Sequence, residues 1–276
     1  MQANNNPLRQ YFRRPAIYLK LPSGGNFYTP GTIDMPENGE IPIFPMTAID
    51  DITAKTPDAL FNGQAVVDII KSCAPNIKEP WKINSVDLDA VLIAIRSASD
   101  SEGMSITSTC PECTEESQFE IALGGLLAGI ETPAYDKGLK ISELEIFFRP
   151  LTFKEMNEIS LSQFTMQRLF SNLNDIVDMD ERTKKSKEAL KQVTDVTMKT
   201  IAKTIEFIRS PGGDVSQGDF ILDFLGNCDK QTYETIRDYN TKLREQGEIK
   251  PLPIKCIHCN HEYKQKFTLN ITDFFG

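Results

Sequence analysis

Four of the six cysteines in this chain fall into two pairs with the same spacing, Cys110-Pro111-Glu112-Cys113 and Cys256-Ile257-His258-Cys259. Two intervening residues let both sulfurs of a pair point to one side of a tight turn, so each pair supplies half of a tetrahedral thiolate set. Read together, Cys110, Cys113, Cys256 and Cys259 predict one structural Zn²⁺ site. Because 142 residues lie between Cys113 and Cys256, a chain that joins the pairs makes a long excursion and returns. Closing such a loop costs on the order of 4 kcal/mol of chain entropy, which a structural zinc worth about 10 kcal/mol offsets. A thioredoxin-like pair would open a helix after a buried strand. Here Thr-Glu-Glu-Ser follows the first pair and a Tyr/Phe-bearing strand pattern follows the second, against redox chemistry. Separate or empty sites are the remaining alternative.

Other catalytic chemistry is poorly supplied. The only histidines, His258 and His261, both sit at the second cysteine turn, leaving no remote imidazole for a nucleophile-base pair and no helical His/Glu motif for a catalytic metal. Four thiolates also close a zinc site to water. The expectation is a protein that is not an enzyme. His258 lies between two cysteines and should point away from the metal. His261 could donate to a sulfur from outside the ligand set or replace a ligand, but solvent exposure is the plainer reading. Cys73 and Cys228 end apolar helical patterns and are expected to be buried core thiols.

Composition narrows the class. A chain of 276 residues that is 40% hydrophobic and 25% charged is long enough for a full core and reads as a globular protein. A net charge of −9 and a pI near 4.9 oppose a nucleic-acid binder, which needs a basic face to displace counterions. The longest apolar run, residues 90–95, is far short of a membrane span, and the start lacks an apolar signal region. Folding in a reducing cytoplasm is therefore expected, without membrane insertion, with metal ligands and free thiols in place of disulfides.

The elements that would position the cysteines read as follows. Alternation at Ile17, Leu19 and Leu21 predicts a strand, ended by Pro22-Ser23-Gly24-Gly25, which is a structural turn and lacks the Gly-Lys-Ser/Thr ending of a phosphate loop. Residues 32–35 and 40–44 flank Asn38-Gly39 and predict a β-hairpin. Thr47 and Thr56-Pro57 cap two helices; Leu88, Val91, Leu92 and Ile95 line a third. Residues 104–108 and 118–123 are strands flanking the first cysteine turn, closed by Gly124-Gly125, and Leu144, Ile146 and Phe148 form another strand. Thr152-x-x-Glu155 is a capping box opening a long helix. A second long helix is expected to carry Leu190, Val193, Val196, Ile201, Ile205 and Ile208 before Pro211. Two further helices precede the second cysteine turn. The fold class is α+β: a β-rich N-terminal part, a split zinc-ribbon-like four-cysteine unit, and an inserted helical subdomain. The divisions are residues 1–15, an arm rich in Arg9, Tyr11, Phe12, Arg13 and Arg14; 16–150, with the first knuckle; 151–250, the helical insert; and 251–276, the second knuckle and an apolar tail.

The segments Asn6-Pro7-Leu8-Arg9-Gln10-Tyr11-Phe12-Arg13-Arg14-Pro15, Leu21-Pro22-Ser23-Gly24-Gly25-Asn26-Phe27-Tyr28, Pro45-Met46-Thr47-Ala48, Lys55-Thr56-Pro57-Asp58-Ala59-Leu60 and Ser72-Cys73-Ala74-Pro75 resemble the T4-like bacteriophage baseplate hub proteins. So do the Cys-Pro-x-Cys at 110–113 and the closing Asp273-Phe274-Phe275-Gly276. The resemblance is dense over about residues 6–150 and looser in the insert. It implies a structural subunit of a contractile-tail baseplate near the hub, located in the virion, with no catalytic residues to carry over. Its implied partners are other baseplate and tail proteins, in multiple copies within a symmetric assembly. A hub assembly factor absent from the mature virion is the alternative, and a zinc-dependent nucleic-acid-binding module is a more distant one. Thr114 follows Cys113 where such knuckles often carry glycine.

Overall fold

The computed structural model describes residues 6–56, 63–99, 103–173, 178–267 and 269. The helix start expected at Thr56-Pro57 runs into residues outside that set, as do Ile271, Phe274 and Phe275 of the apolar tail. The fold is α+β, and the chain divides into two compact units: Met1–Pro80, Asp87–Ile130 and Ile249–Gly276 form one, Trp81–Val86 and Glu131–Glu248 the other.

In the first unit, strand β1 (Ile17–Lys20) pairs antiparallel with β2 (Glu40–Ile43), in a register that sets Ile17 opposite Ile43. Leu19, Leu21, Ile41 and Ile43 point into the core. This corrects the expected hairpin: residues 32–35 form no strand, and Ile33 makes only an isolated bridge to Ile77. Pro30 and Pro36 bracket that stretch and remove the donors a ladder needs. At Asn38-Gly39 only the glycine takes positive φ, at 73°, whereas a type I′ turn needs both residues there.

Helix α1 (Ala48–Ala54) opens on a capping box in which Thr47 Oγ1 accepts from Asp50 N–H and the Asp50 carboxylate accepts from Thr47 N–H. It packs on α2 (Gln64–Cys73), whose Val66, Val67, Ile69, Ile70 and Cys73 are fully buried. Helix α3 (Ser85–Ser99) presents Leu88, Val91, Leu92 and Ile95 to the core as the spacing predicts. Two buried carboxylates tie loops to these helices. Asp87 accepts Ser23 N–H at 2.8 Å, the Ser23 hydroxyl, and Tyr28 O–H at 2.7 Å, which fixes the Ser-Gly-Gly turn as structural. Asp50 pairs with Arg13 at 3.3 Å, and the same guanidinium donates to the Pro45 carbonyl, the Ser72 carbonyl at 2.8 Å and Ser72 Oγ at 2.7 Å. The N-terminal segment, an arm in the sequence reading, is held within its own chain at Arg13. Ahead of it, Pro7–Tyr11 forms a 3₁₀ turn capped by Asn6, with every residue exposed.

Strands β3 (Met104–Thr109) and β4 (Glu116–Ile121) form the first cysteine-bearing hairpin. The Gly124-Gly125 pair does not close it as a turn. It lies inside a short helix, α4 (Leu123–Ala128), because Leu123 and Leu126, three apart, are both buried on one face.

The second unit is built on a four-stranded antiparallel sheet in the order β5 (Leu139–Ile141), β6 (Leu144–Phe148), β7 (Ile205–Ser210), β8 (Gly213–Val215). The Thr152/Glu155 capping box forms as predicted and starts α5 (Phe153–Leu173). Helix α6 (Met179–Thr204) returns antiparallel along it, with Lys203 reaching Glu158 at 2.8 Å. The insert is therefore not purely helical. Ile205 and Ile208, assigned by spacing to the second long helix, lie in β7, where Ile208 pairs with Ile146 and Ile205 with Phe148. A three-residue spacing fits a helix face, but β-branched Ile205 and Ile208 flanking Phe207 also suit a pleated, half-buried strand, and the open edge of β6 decides between them. Helices α7 (Gly218–Asn227) and α8 (Lys230–Gly247) complete the unit, the latter capped by Asp229 and burying Ile236 and Leu243. Cys228, expected in the core, is only half-buried at the end of α7, and its thiol donates to the Leu225 carbonyl at 3.5 Å. Strands β9 (Leu252–Lys255) and β10 (Glu262–Gln265) then form the second cysteine hairpin, in the first unit.

Candidate metal centre

Each cysteine pair sits in the turn of its hairpin, and the two turns are built alike. In the first, Cys110 N–H donates to the Glu115 carbonyl at 3.0 Å and Thr114 N–H to the Cys110 carbonyl at 3.0 Å; in the second, Cys256 N–H donates to the His261 carbonyl at 2.9 Å and Asn260 N–H to the Cys256 carbonyl at 3.0 Å. The residue after each pair's second cysteine takes the left-handed conformation, Thr114 and Asn260 both at φ 61°. These bonds curl the backbone around the sulfurs, so that N–H groups on the inside of the turn point toward them. His258 N–H lies 3.4 Å from Cys256 Sγ.

The structure brings the two turns together. Cys110 Sγ lies 3.6 Å from Cys259 Sγ, Cys113 Sγ lies 3.6 Å from Cys256 Sγ, and all four sulfurs fall within 4.8 Å of one another. A tetrahedron with metal–sulfur bonds of about 2.3 Å has edges of about 3.8 Å, so this donor set is compatible with one metal ion. Cys110 and Cys256 are buried, Cys113 is half-buried and Cys259 exposed.

Electrostatics agree with a site built for a cation. Backbone N–H groups at Cys259 and His258 pull the Cys256 thiol down to about 6, against the cost of burial. At Cys113 a backbone N–H from Glu115 favours the thiolate, but burial and the three neighbouring sulfurs outweigh it and push the thiol up to about 12. Four thiolates cannot ionise side by side without a positive charge among them, and a coordinated cation removes that conflict outright. Cys73 is a different case: burial and the Asp50 charge push its thiol up to about 11, which keeps it neutral.

Neither histidine belongs to the sulfur cluster. Both are exposed, and the His261 ring stacks on Tyr263 with centroids 6.1 Å apart. Sequence reasoning missed a polar tie beneath the cysteines. Tyr263 O–H donates to Ser108 Oγ at 2.9 Å, and Ser108 O–H donates to Gln265 Oε1 at 2.9 Å. These residues join β3 to β10 across a sequence separation that no local pattern reveals.

A β-hairpin pair whose two knuckles converge makes a joint between distant parts of a chain. The family model for the T4 bacteriophage base plate protein matches residues 20–276. The chain belongs to this family. Membership reaches both cysteine pairs and the whole insert, and it makes the chain a phage baseplate protein whose place is the virion tail among other tail proteins. No curated protein and no solved structure matches the chain. Among the described residues, no helix is long and apolar enough to cross a membrane.

Proposed function

We propose that the protein is a non-enzymatic structural subunit of the contractile-tail baseplate hub, that it binds neighbouring tail proteins in multiple copies, and that a Zn²⁺ ion held by Cys110, Cys113, Cys256 and Cys259 staples its two ends. The observation that carries the hub assignment is the baseplate family match over residues 20–276, taken with the resemblance of the N-terminal motifs to hub proteins. For the zinc it is the convergence of the four sulfurs. All-thiolate tetrahedral sites favour Zn²⁺ and leave no open position for catalysis. The ion contributes stability: it fixes the β9–β10 hairpin, at the end of a long insert, to the β3–β4 hairpin that precedes the insert.

Two measurements test this reading. Elemental analysis of the purified full-length chain should give about one zinc per chain. Quantitative mass spectrometry of purified virions should find the protein at a fixed copy number. Absence from virions that nevertheless require it for hub formation would replace the structural subunit with an assembly factor. Retarded duplex DNA at physiological salt would revive the nucleic-acid alternative.

A further inference from the structure

Two surfaces of the first unit complement each other in both charge and apolarity, and neither lines the other. The first is the N-terminal segment. Residues 1–20 carry Arg9, Arg13, Arg14 and Lys20 and no acidic residue, in a chain of net charge −9. Arg13 is consumed by the internal clamp, whereas Arg9 and Arg14 are exposed and make no ion pair among the described residues. Leu8, Tyr11 and Phe12 are 60%, 77% and 58% exposed, a concentration of apolar surface that a soluble monomer does not ordinarily display on one turn. The Asn6 cap and the Arg13 clamp tie the segment down at both ends, which lowers the entropy lost on docking.

The second surface is the first cysteine hairpin. Glu112, Glu115, Glu116 and Glu120 are all exposed and none makes an ion pair among the described residues. Beside them runs an open groove of about 400 Å³ between β4 and β9, floored by Phe119, Ile121, Leu126, Leu252 and Ile254. Among the described residues β4 pairs only with β3, and β9 only with β10. Lys255, on the far wall, has Glu262 at 3.9 Å. No residue of the N-terminal segment lines the groove.

We propose that the N-terminal segment of one copy docks on the β3–β4 hairpin of a second copy, with Tyr11 and Phe12 in the groove and Arg9 and Arg14 against the glutamates. The contact is heterologous: each copy offers a different face, so successive copies close into a ring or extend. This deepens, and rests on, the reading of the protein as a multi-copy baseplate subunit. Aromatic and arginine side chains are the residue types that anchor interfaces, and the exposed charge pairs make association sensitive to salt.

The test is sedimentation of the full-length chain over a range of concentrations. Wild type should self-associate, more weakly at high salt. Arg9→Glu with Arg14→Glu should raise the dissociation constant at least tenfold, and so should Glu116→Lys with Glu120→Lys. Tyr11→Ala with Phe12→Ala should do the same without changing charge. Both charge-reversed proteins should melt as wild type does, since the mutated side chains make no ion pair among the described residues. Mixed, the reversed arm of the arginine variant meets the reversed hairpin of the glutamate variant, so the two should associate with each other although neither associates with its own kind, and a chain carrying all four reversals should regain self-association. A wild type that stays monomeric at all concentrations, or a quadruple variant that stays monomeric while wild type associates, would overturn the proposal. In the first case, finding the protein at fixed copy number in virions would leave the baseplate reading standing.

Discussion

The two knuckles share a backbone and differ in almost everything attached to it. Each closes the same pair of hydrogen bonds and places one residue at φ 61°. In each the first cysteine is buried and the second more exposed. Yet the first knuckle is acidic, with Glu112 and Glu115 at its tip, and leads into a six-residue strand pair, while the second carries His258 and His261 and rests on a four-residue pair. The shared features are those a tetrahedral thiolate site needs. The divergent ones face solvent, where a knuckle is free to serve a neighbour. The second hairpin is also the weaker on its own. Two-stranded hairpins this short are marginal in water, so it depends on the sulfurs and on the Ser108–Tyr263–Gln265 tie for its place.

The largest expected effect would break this equivalence. Replacing any one of the four cysteines by serine should cost several kcal/mol and release the metal, because three thiolates hold a weakened site. If one ion joins both turns, the costs cannot add: after Cys110→Ser, a further Cys256→Ser should cost far less than it does alone. Cys73→Ser and Cys228→Ser should leave metal content unchanged. Additive losses in denaturant melts, or metal retained after both Cys256 and Cys259 are removed, would make the knuckles two independent sites.

How much of this was legible beforehand depended on whether the signal was local. The knuckle spacing, the Thr152/Glu155 capping box and the helical face at Leu88, Val91, Leu92 and Ile95 are fixed by residues within one or two turns of each other, and these readings agree with the structure. Where the sequence reading and the structure disagree, long-range pairing chose between locally acceptable alternatives. Ile205 and Ile208 satisfy a helix until β6 offers them a ladder. Residues 40–43 fit the strand opposite 32–35 until β1 competes for them. Arg13 reads as one residue of the N-terminal arm, and only the fold brings Asp50 and Ser72 to it. That the two cysteine pairs converge could be argued from chemistry alone, since neither half is of use without the other.

A contrast of second rank separates the unit that carries the four cysteines from the other. In the second unit Glu155 is held without any metal. Burial works to raise its carboxyl, but the Arg149 pair at 2.7 Å and the Thr152 hydrogen bonds outweigh it and leave it below the usual carboxylate range. A depressed carboxyl contributes stability above its unfolded pKa and loses it as pH falls through the lower folded value. Glu155→Gln should therefore cost about 1–2 kcal/mol at neutral pH, and the gap to wild type should narrow as the pH drops below about 4. This loss should add fully to that of Cys256→Ser. Non-additivity would mean that the metal supports the second unit as well.

Beneath the knuckles, Tyr263→Phe removes one hydrogen bond to Ser108 and keeps the ring on His261, so it should cost about 1 kcal/mol. In protein already lacking its metal, hydrogen exchange at β9 and β10 should accelerate further in this variant, while β3 and β4, longer and paired over six residues, change less. Equal acceleration in both hairpins would remove the idea that the second is the dependent one.

The smallest effect bears on the position where both turns take φ 61° and the residues differ, Thr114 in one and Asn260 in the other. A β-branched residue in the left-handed region costs about 1–2 kcal/mol, whereas asparagine visits that region with little strain. Thr114→Gly relieves the strain but gives the unfolded chain more freedom, which returns up to about 1 kcal/mol. The net should be a gain of a few tenths to about 1 kcal/mol. Asn260→Gly relieves little and carries the same entropic cost, so it should be neutral or slightly destabilising. Measured side by side in denaturant, the two substitutions should thus differ in sign or by at least about 0.5 kcal/mol. Equal responses would mean that the metal site, by clamping both turns, sets their geometry so firmly that the side chain at φ 61° no longer matters. In that event the difference should reappear when both variants are compared after chelation.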